Sequence, residues 1–210
     1  MDHNDDKRQL ITQAALQRFA HFGIGKTTLQ DIADDAGLSK ANVYYYFADK
    51  EAIIESAIES IVDEFKSEIQ HNSTKIERSV TGFSAFLKVR KSFLDKYSFL
   101  YSSDLSELAN APKRFTKYAK TLTDFEQSYI FNLFERGLHN QEFVTIDPQK
   151  TSEIYLESIR GIACISQICS IDNMRFDNSR INDIHEKQLH LTYIFLNGIS
   201  KNKIENNLFL

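Results

Sequence analysis

The stretch that decides the fold is TTLQDIADDAGLSKANVYYYFADK, residues 27 to 50. It divides into two short helices, 28 to 35 and 39 to 46, with Gly37 at the turn, where glycine adopts a positive φ at little cost. Its apolar positions would face one another where the two helices cross: Ile32, Ala33, Ala36, Leu38 and Val43. The stretch therefore predicts a helix-turn-helix.

Capping residues predict where these helices begin. Thr27 and Gln30 have the spacing of a capping box, in which each side chain bonds the backbone amide of the other residue. Ser39 is a natural N-cap for the second helix, and Asp49 is one for a further helix that follows it. Three helix starts therefore lie close together in this stretch.

An exposed strip on the second helix has the chemistry of a DNA-binding surface. With Val43 buried, a turn of 100° per residue points four side chains outward: Ala41, Asn42, Tyr44 and Tyr45. An asparagine can pair with an adenine edge, an alanine can contact a thymine methyl group, and tyrosine hydroxyls can reach phosphates. Lys40 and Lys50 would add positive charge near the same phosphates. A plain helical hairpin inside a core is the alternative interpretation.

Residues 10 to 54 resemble the DNA-binding domain of the TetR (tetracycline repressor) family. The matching positions are Phe19, Gly23, Thr27, Thr28, Ile32, Ala33, Gly37, Ser39, Val43, Tyr44, Tyr45, Phe47 and Lys50. The resemblance implies a homodimeric transcriptional regulator, usually a repressor, which a small molecule releases from a palindromic DNA operator. Beyond about residue 60 only size and layout remain similar. Tyr46 departs from the pattern, since many relatives have histidine there.

The resemblance also implies which residues contact DNA. The expected set is Thr27, Thr28, Gln30, Ser39, Lys40, Ala41, Asn42, Tyr44, Tyr45 and Lys50. Residues 1 to 50 nevertheless contain six Lys or Arg against seven Asp, a net charge of −1. Most DNA-binding domains are basic, so we expect few phosphate ion pairs and a shallow dependence of binding on salt.

Composition indicates an all-α protein. The 210 residues include two prolines, seven glycines and no tryptophan, with a net charge of −4. Two cysteines without a signal peptide favour a reducing cytoplasm, and no apolar run is long enough to cross a membrane. No cofactor and no membrane partner are expected.

Helical periodicity and breakers predict about nine helices in two domains. The first domain, residues 1 to 50, would hold the helix-turn-helix. The resemblance implies that the second domain, residues 51 to 210, binds a ligand and dimerises. The predicted helices outside the helix-turn-helix are 6 to 22, 50 to 70, 75 to 92, 94 to 109, 112 to 138, 148 to 171 and 179 to 200. Their predicted faces include Ile11, Ala15, Phe19 and Phe22 on the first and Ile54, Ile58, Ile61 and Phe65 on the next. The tail beyond residue 200 is expected to fray.

The last two helices have more apolar residues than a helix needs when only one of its sides packs against the rest of its subunit. Their apolar residues are Ile154, Ile159, Ile162, Ile165, Ile168, Ile184, Leu191, Ile194, Phe195 and Ile199. Gly161 and Gly198 would let backbones approach closely. A four-helix bundle formed by two subunits would bury this surface, which fits the dimer that the resemblance implies. Two wholly internal helices are the alternative.

The middle of the chain is rich in aromatic residues, and the resemblance places an effector there. Candidate pocket residues are Phe86, Phe93, Tyr101, Phe125 and Tyr129, although ordinary core packing would also need such rings. An apolar or aromatic effector is expected. The alternative functions are a second domain that binds a protein partner, and a helical-bundle enzyme.

Catalytic and metal-binding patterns are absent from the sequence. The fragment from Glu68 to His71 matches half of a di-iron motif, but no second copy follows. His185 and His190, like Cys164 and Cys169, are five residues apart and would not meet on one side of a helix. We therefore expect neither an enzyme nor a metal sensor.

Overall fold

The computed structural model describes residues 3–73, 77–98, 113–168, 178–205 and 209. Eight α-helices lie in this part of the chain: α1 His3–Phe22, α2 Leu29–Asp35, α3 Lys40–Tyr46, α4 Lys50–Ser73, α5 Ser79–Lys96, α6 Lys113–His139, α7 Pro148–Ile168 and α8 Asn178–Ile199. The described residues form no strand beyond one isolated bridge between Phe143 and Ser200. The all-α prediction is therefore confirmed.

The helix-turn-helix is present as predicted. Helix α2 packs against α1 and α3, and Ile32, Ala33 and Val43 are fully buried where they meet. Gly37 has a φ of +64°, and the next amide, that of Leu38, donates to the Ala33 carbonyl at 2.9 Å. The turn is thus closed by a backbone hydrogen bond that depends on the left-handed glycine.

The capping box lies one residue later than the sequence suggested. Thr28 is the N-cap of α2, and it exchanges hydrogen bonds with Asp31; the predicted pair of Thr27 and Gln30 was wrong. Two capping boxes overlap in this sequence, and tertiary packing selects the second. The caps at Ser39 and Asp49 are confirmed, since they accept from the amides of Asn42 at 3.1 Å and Ala52 at 2.7 Å.

Two predicted apolar faces need correction. Phe22 is 55% exposed, with the Arg18 guanidinium 4.9 Å from its ring centre, so it does not join the α1 core. On α4, Ile54, Ile58 and Ile61 are only half-buried. The buried residues are Ile53, Ala57, Val62, Phe65 and Ile69. Apolar residues cover a wide arc of α4, so periodicity alone could not identify its centre.

The chain divides into two compact units. The first unit comprises Met1–Glu64 and Tyr97–Ala119, and the second comprises Phe65–Lys96 and Lys120–Leu210. The division within α4 therefore lies after Glu64, whereas the sequence placed a domain boundary after residue 50. The first unit also includes a segment distant in sequence, which no local pattern could assign to it.

The second unit is built around aromatic side chains from α5, α6, α7 and α8. Phe83, Phe134 and Tyr155 are fully buried, and their rings are in contact, with Phe83 and Phe134 centred 4.8 Å apart. Helix α8 packs against both α5 and α7. Helix α5 continues without a break to Lys96, so a new helix does not start at residue 94; residues 99–112 lie outside the described part.

The C-terminal tail contributes to the core of the second unit, which corrects the expectation that it frays. Ile204 is 5% exposed and Phe209 is 3% exposed. The Ile204 amide donates to the Asn197 side chain at 3.0 Å, and the Phe209 ring lies 6.2 Å from that of Tyr193. Isolated apolar residues in a polar tail gave no periodic signal, so the sequence did not reveal this packing.

Gly137→Ala is expected to destabilise the protein by about 1 to 3 kcal/mol, the usual range for an overpacked core. A Cβ atom at Gly137 would overlap the ring of Phe143, which is 1% exposed. Urea unfolding measures the loss. Adding Phe143→Leu should recover part of it, since the smaller side chain leaves room; equal losses with and without this second change would contradict the contact.

Candidate functional site

The exposed strip of α3 is the first candidate site. Ala41 and Asn42 are exposed, Tyr44 is 49% exposed and Tyr45 is 79% exposed. All four lie on α3, and Val43 on the opposite side of this helix is fully buried. Large aromatic side chains at such exposure are unusual on a surface that binds nothing.

Both ends of α3 are held in place. At its start, the Asn42 backbone amide donates to the Ser39 hydroxyl, so the Asn42 side-chain amide is not used for the cap. At its end, Arg8 donates to the Tyr46 carbonyl at 2.5 Å, and its guanidinium lies 4.4 Å from the Phe47 ring centre. Sequence reasoning missed Arg8, because its partners are about forty residues away and no local pattern connects them.

The residues expected at the start of α2 have separate roles. Thr27 is 2% exposed and its hydroxyl donates to the Gly23 carbonyl at 2.8 Å, so its side chain holds the turn and does not face outward. Thr28 is exposed but engaged in the cap, where its amide and hydroxyl lower the pKa of Asp31. Gln30 is exposed, and its amide nitrogen donates to Asp34 at 2.8 Å.

Several basic side chains of the first unit are already engaged within it. Lys50 is half-buried and donates to the Ile24 carbonyl at 2.6 Å. Arg18 donates to Asp35 at 3.0 Å. Lys40 and Lys26 are exposed, and Lys26, which precedes the two threonines, was not among the expected residues. The charge available to a phosphate backbone is therefore smaller than the sequence count suggests.

This geometry agrees with a known family. Residues 11–57 match the model of the bacterial regulatory proteins of the tetR family. The N-terminal domain belongs to the TetR family. The match covers the three-helix domain and the start of α4, which is the part that carries the exposed strip. Members of the family are regulators and not enzymes, in agreement with the sequence.

Relatives share either this domain or the whole fold. The HTH-type transcriptional regulator RutR of Escherichia coli is 44% identical over 57 residues, 27% of each chain. The negative transcriptional regulator IcaR of Staphylococcus aureus is 29% identical over 106 residues, 50% of this chain and 55% of IcaR. The matched part of the chain therefore spans only about a quarter of RutR and about half of IcaR.

A solved structure extends the similarity to both units. The crystal structure of a transcriptional regulator from Cytophaga hutchinsonii has a TM-score of 0.82 and 25% identity, covering 92% of this chain and 98% of that one. The N-terminal helix-turn-helix and the helical C-terminal part thus recur together in a regulator of similar length.

The aromatic candidates for an effector pocket lie within the second unit. Phe86 is fully buried and stacks on Tyr129, with ring centres 5.7 Å apart. Phe93 and Phe125 are half-buried and contact Phe65, at 5.2 Å and 6.3 Å between ring centres. Burial raises the pKa of the Tyr129 hydroxyl. The fifth candidate, Tyr101, lies outside the described residues.

An ionic cluster lies beside these rings, and sequence reasoning missed it. Glu126 accepts from Arg90 through one carboxylate oxygen and from Arg160 through the other, at 2.7 Å. The Glu126 side chain is only 3% exposed. Burial lowers the pKa of Arg160, and Glu157 opposes that shift. The three charges come from α5, α6 and α7, so no spacing in the sequence brings them together.

The proposed dimerisation helices have both buried and exposed isoleucines. Ile159 and Ile184 are fully buried within the unit, whereas Ile154, Ile165 and Ile194 are 56%, 62% and 56% exposed. The side chain of Ile168 lies outside the described set, and the remaining candidates, Ile162, Leu191, Phe195 and Ile199, are half-buried. A Cβ built at Gly161 or Gly198 would meet no atom within 4 Å. The two glycines therefore do not serve close packing inside the unit.

Metal and membrane sites receive no support in the described part of the chain. No group of three or more His, Cys, Asp or Glu residues there is placed to hold a metal ion. Cys164 is exposed, and burial lowers the pKa of His185. No described helix has the length and apolarity needed to cross a membrane.

Proposed function

We propose that this chain is a DNA-binding transcriptional repressor that acts as a homodimer on a palindromic operator and responds to a small molecule. The strongest support for DNA binding is the exposed strip on α3, a capped helix whose opposite side is buried; the strip consists of Ala41, Asn42, Tyr44 and Tyr45. A helix of this kind fits the major groove and presents base-contacting and phosphate-contacting groups together. IcaR, described as a negative regulator, favours repression. Such a protein would work in the cytoplasm, where bacterial DNA lies.

Within this proposal the DNA-contacting residues divide into two groups. Asn42 and Ala41 would contact base edges, and Tyr44, Tyr45, Lys40 and Lys26 would contact the backbone. Thr28, Gln30 and Ser39 would border the same groove. Lys50 and Thr27 would act by holding the turn after α1, as their bonds to Ile24 and Gly23 suggest.

A binding assay on the protein's own upstream DNA tests the proposal. The duplex should bind at least about a thousandfold more tightly than unrelated DNA of the same length, as specific regulators do. The salt slope should be shallow, with few released counterions, because several basic side chains are engaged internally. Equal affinity for both duplexes at all salt concentrations would refute a sequence-specific regulator.

The homodimer would form through α7 and α8. The exposed Ile154, Ile165 and Ile194, with open space at Gly161 and Gly198, make an apolar surface that two subunits could pack as a four-helix bundle. A twofold dimer would present two copies of α3 to half-sites one turn of DNA apart, about 34 to 36 Å.

Ile165→Glu combined with Ile194→Glu is expected to convert the dimer to a monomer. A carboxylate forced into an apolar interface has no hydrogen-bonding partner there, so the dimer Kd should rise on the order of a hundredfold or more. Light scattering after size exclusion measures the mass. Val144→Glu, at an exposed apolar residue outside both helices, is the control; a double variant that stays dimeric would exclude this interface.

Coupling to an effector would run through α4, which contributes to both units. Within the first unit, Tyr97 donates to Glu64 at 2.6 Å and Tyr118 donates to Glu55 at 3.3 Å. Burial, together with Glu59 and Glu55, raises the pKa of Tyr118 to about 12. These tyrosines hold α4 from a segment distant in sequence, so a change there would reach the DNA-binding helices.

Tyr97→Phe is therefore expected to weaken operator binding by about tenfold or more, because a hydrogen bond to a charged group contributes about 1.5 to 3 kcal/mol. Fluorescence anisotropy with labelled operator measures it. Tyr193→Phe, in the second unit, is the matched control. If the Tyr97→Phe variant binds the operator as tightly as the unaltered protein, Tyr97 takes no part in the coupling.

A further inference from the structure

Helix α3 is too short to be stable without contacts to the rest of its unit. It has seven residues, Lys40–Tyr46, whereas an isolated helix shorter than about 12 to 15 residues is marginal in water. Its exposed strip can fit a DNA groove only if both of its ends are fixed. Ser39 caps the first end. The last turn, which carries Tyr44 and Tyr45, depends on residues outside α3.

The Arg8 side chain on α1 holds this last turn of α3. Its Nη1 donates to the Tyr46 carbonyl at 2.5 Å, which is one of the carbonyls that a helix end leaves without an intrahelical partner. The guanidinium also lies 4.4 Å from the ring centre of Phe47, and Phe47 is 2% exposed. A positive charge at this end of a helix is favourable as well, because it lies at the negative end of the helix dipole.

The part of α1 that carries Arg8 is itself fixed. The Arg8 carbonyl accepts from the Thr12 hydroxyl at 2.9 Å, and Thr12 is 4% exposed. Because the Thr12 hydroxyl has a single proton, the Ser56 hydroxyl is the donor in the 2.9 Å bond between these two side chains. Ser56 lies on α4. Contacts from α4 through Thr12 to Arg8 therefore support the end of α3.

The most exposed side chain of the strip depends on the same turn. Tyr45 is 79% exposed, and its ring meets the Tyr46 ring edge to face, with ring centres 5.0 Å apart. Since Arg8 fixes the Tyr46 backbone, it also fixes the ring against which Tyr45 packs. The direction of the Tyr45 side chain is thus set in part from α1.

We propose that Arg8 is a positioning residue for DNA recognition, which keeps the last turn of α3 formed before DNA binds and does not itself contact a phosphate. This role rests on the proposed DNA-binding function, whereas the contact with α3 does not. A preformed helix avoids the cost of ordering on binding. Operator binding requires the fit of α3 to the groove, while binding to unrelated DNA depends on phosphate contacts. Arg8 therefore contributes to the preference for the operator.

Arg8→Ala is expected to weaken operator binding by about tenfold, the lower end for a lost hydrogen bond to a charged group, because this bond is exposed to water. Affinity for unrelated DNA and the salt dependence of operator binding should not change. Fluorescence anisotropy at several salt concentrations measures all three quantities. Unchanged operator affinity would overturn the proposal. So would a loss that is equal for all duplexes and lowers the salt slope by about one, since that result identifies a phosphate contact.

Lys7→Ala is the matched control, because it removes the same charge from the preceding residue of α1. It should leave both operator affinity and the preference for the operator unchanged. An equal loss of operator affinity in Lys7→Ala and Arg8→Ala would mean that the charge of α1 matters and the bond to Tyr46 does not, which would overturn the proposal.

Hydrogen exchange in the absence of DNA tests the contact between Arg8 and α3 directly. The Phe47 amide donates to the Val43 carbonyl at 2.9 Å, so its exchange rate reports on the last turn of α3. Arg8→Ala should speed this exchange by about tenfold, and an unchanged rate would overturn the proposal. If exchange is faster but the unaltered protein binds operator and unrelated DNA alike, the DNA-binding function fails together with the positioning role. The contact that holds α3 would then still stand.

Discussion

Asn42→Ala is expected to reduce discrimination between the operator and a duplex with one altered base pair in each half-site by about 1 to 3 kcal/mol per contact. The Asn42 backbone caps α3 through Ser39, which leaves the side-chain amide to pair with a base edge. Affinity for unrelated DNA should not change, since Tyr44 and Lys40 would still contact phosphates. Competition anisotropy with operator variants at one salt concentration measures the effect.

Asn132→Ala provides the control, because Asn132 is also an exposed helical asparagine but lies on α6 in the second unit. It should behave as the unaltered protein. An Asn42→Ala variant that keeps full discrimination would show that α3 does not read bases through this side chain.

Glu126→Ala is expected to destabilise the protein by about 3 to 5 kcal/mol, the range for removing one partner of a buried ion pair. Arg90 and Arg160 would then lack their shared carboxylate inside the unit. Urea unfolding measures the loss. Glu153→Ala, at an exposed carboxylate on α7, should cost no more than about 0.5 kcal/mol, as surface substitutions usually do.

Replacing the whole cluster tests whether the loss of stability comes from the arginines left without their carboxylate. Arg90→Met, Glu126→Leu and Arg160→Met together should recover most of the lost stability, since apolar groups of similar volume often replace a buried ion network without loss. A Glu126→Ala variant as stable as the unaltered protein would mean that the carboxylate is not needed to offset the two arginines.

The helix-turn-helix could be predicted from sequence because its determinants are local. Gly37 sets the turn, Ser39 caps α3, and Val43 fixes which side of α3 is buried, all within a few residues of one another. The direction of the exposed strip then follows from helical geometry. The sequence allows a capping box at Thr27 and another at Thr28, and it does not indicate which of them forms. The Thr27 side chain is buried, so the box forms at Thr28.

Features that depend on distant residues could not be predicted in the same way. Lys50 donates to Ile24 on the turn after α1, a bond across 26 residues that no local pattern predicts. The cluster around Glu126 joins three helices, and the tail residues Ile204 and Phe209 enter a core formed elsewhere. The aromatic pocket was predicted from aromatic content and from the family resemblance, and neither could indicate that an ionic cluster lies beside Phe86.

The most direct test of the central claim is a hydroxyl-radical footprint on the DNA upstream of the protein's own gene. We predict two protected half-sites related by a twofold axis and centred about one helical turn apart, or a multiple of it. Asn42→Ala should weaken both half-sites equally, because each subunit contributes one α3. Uniform protection that does not depend on sequence, or a single protected site unaffected by Asn42→Ala, would contradict a dimer that reads DNA through α3.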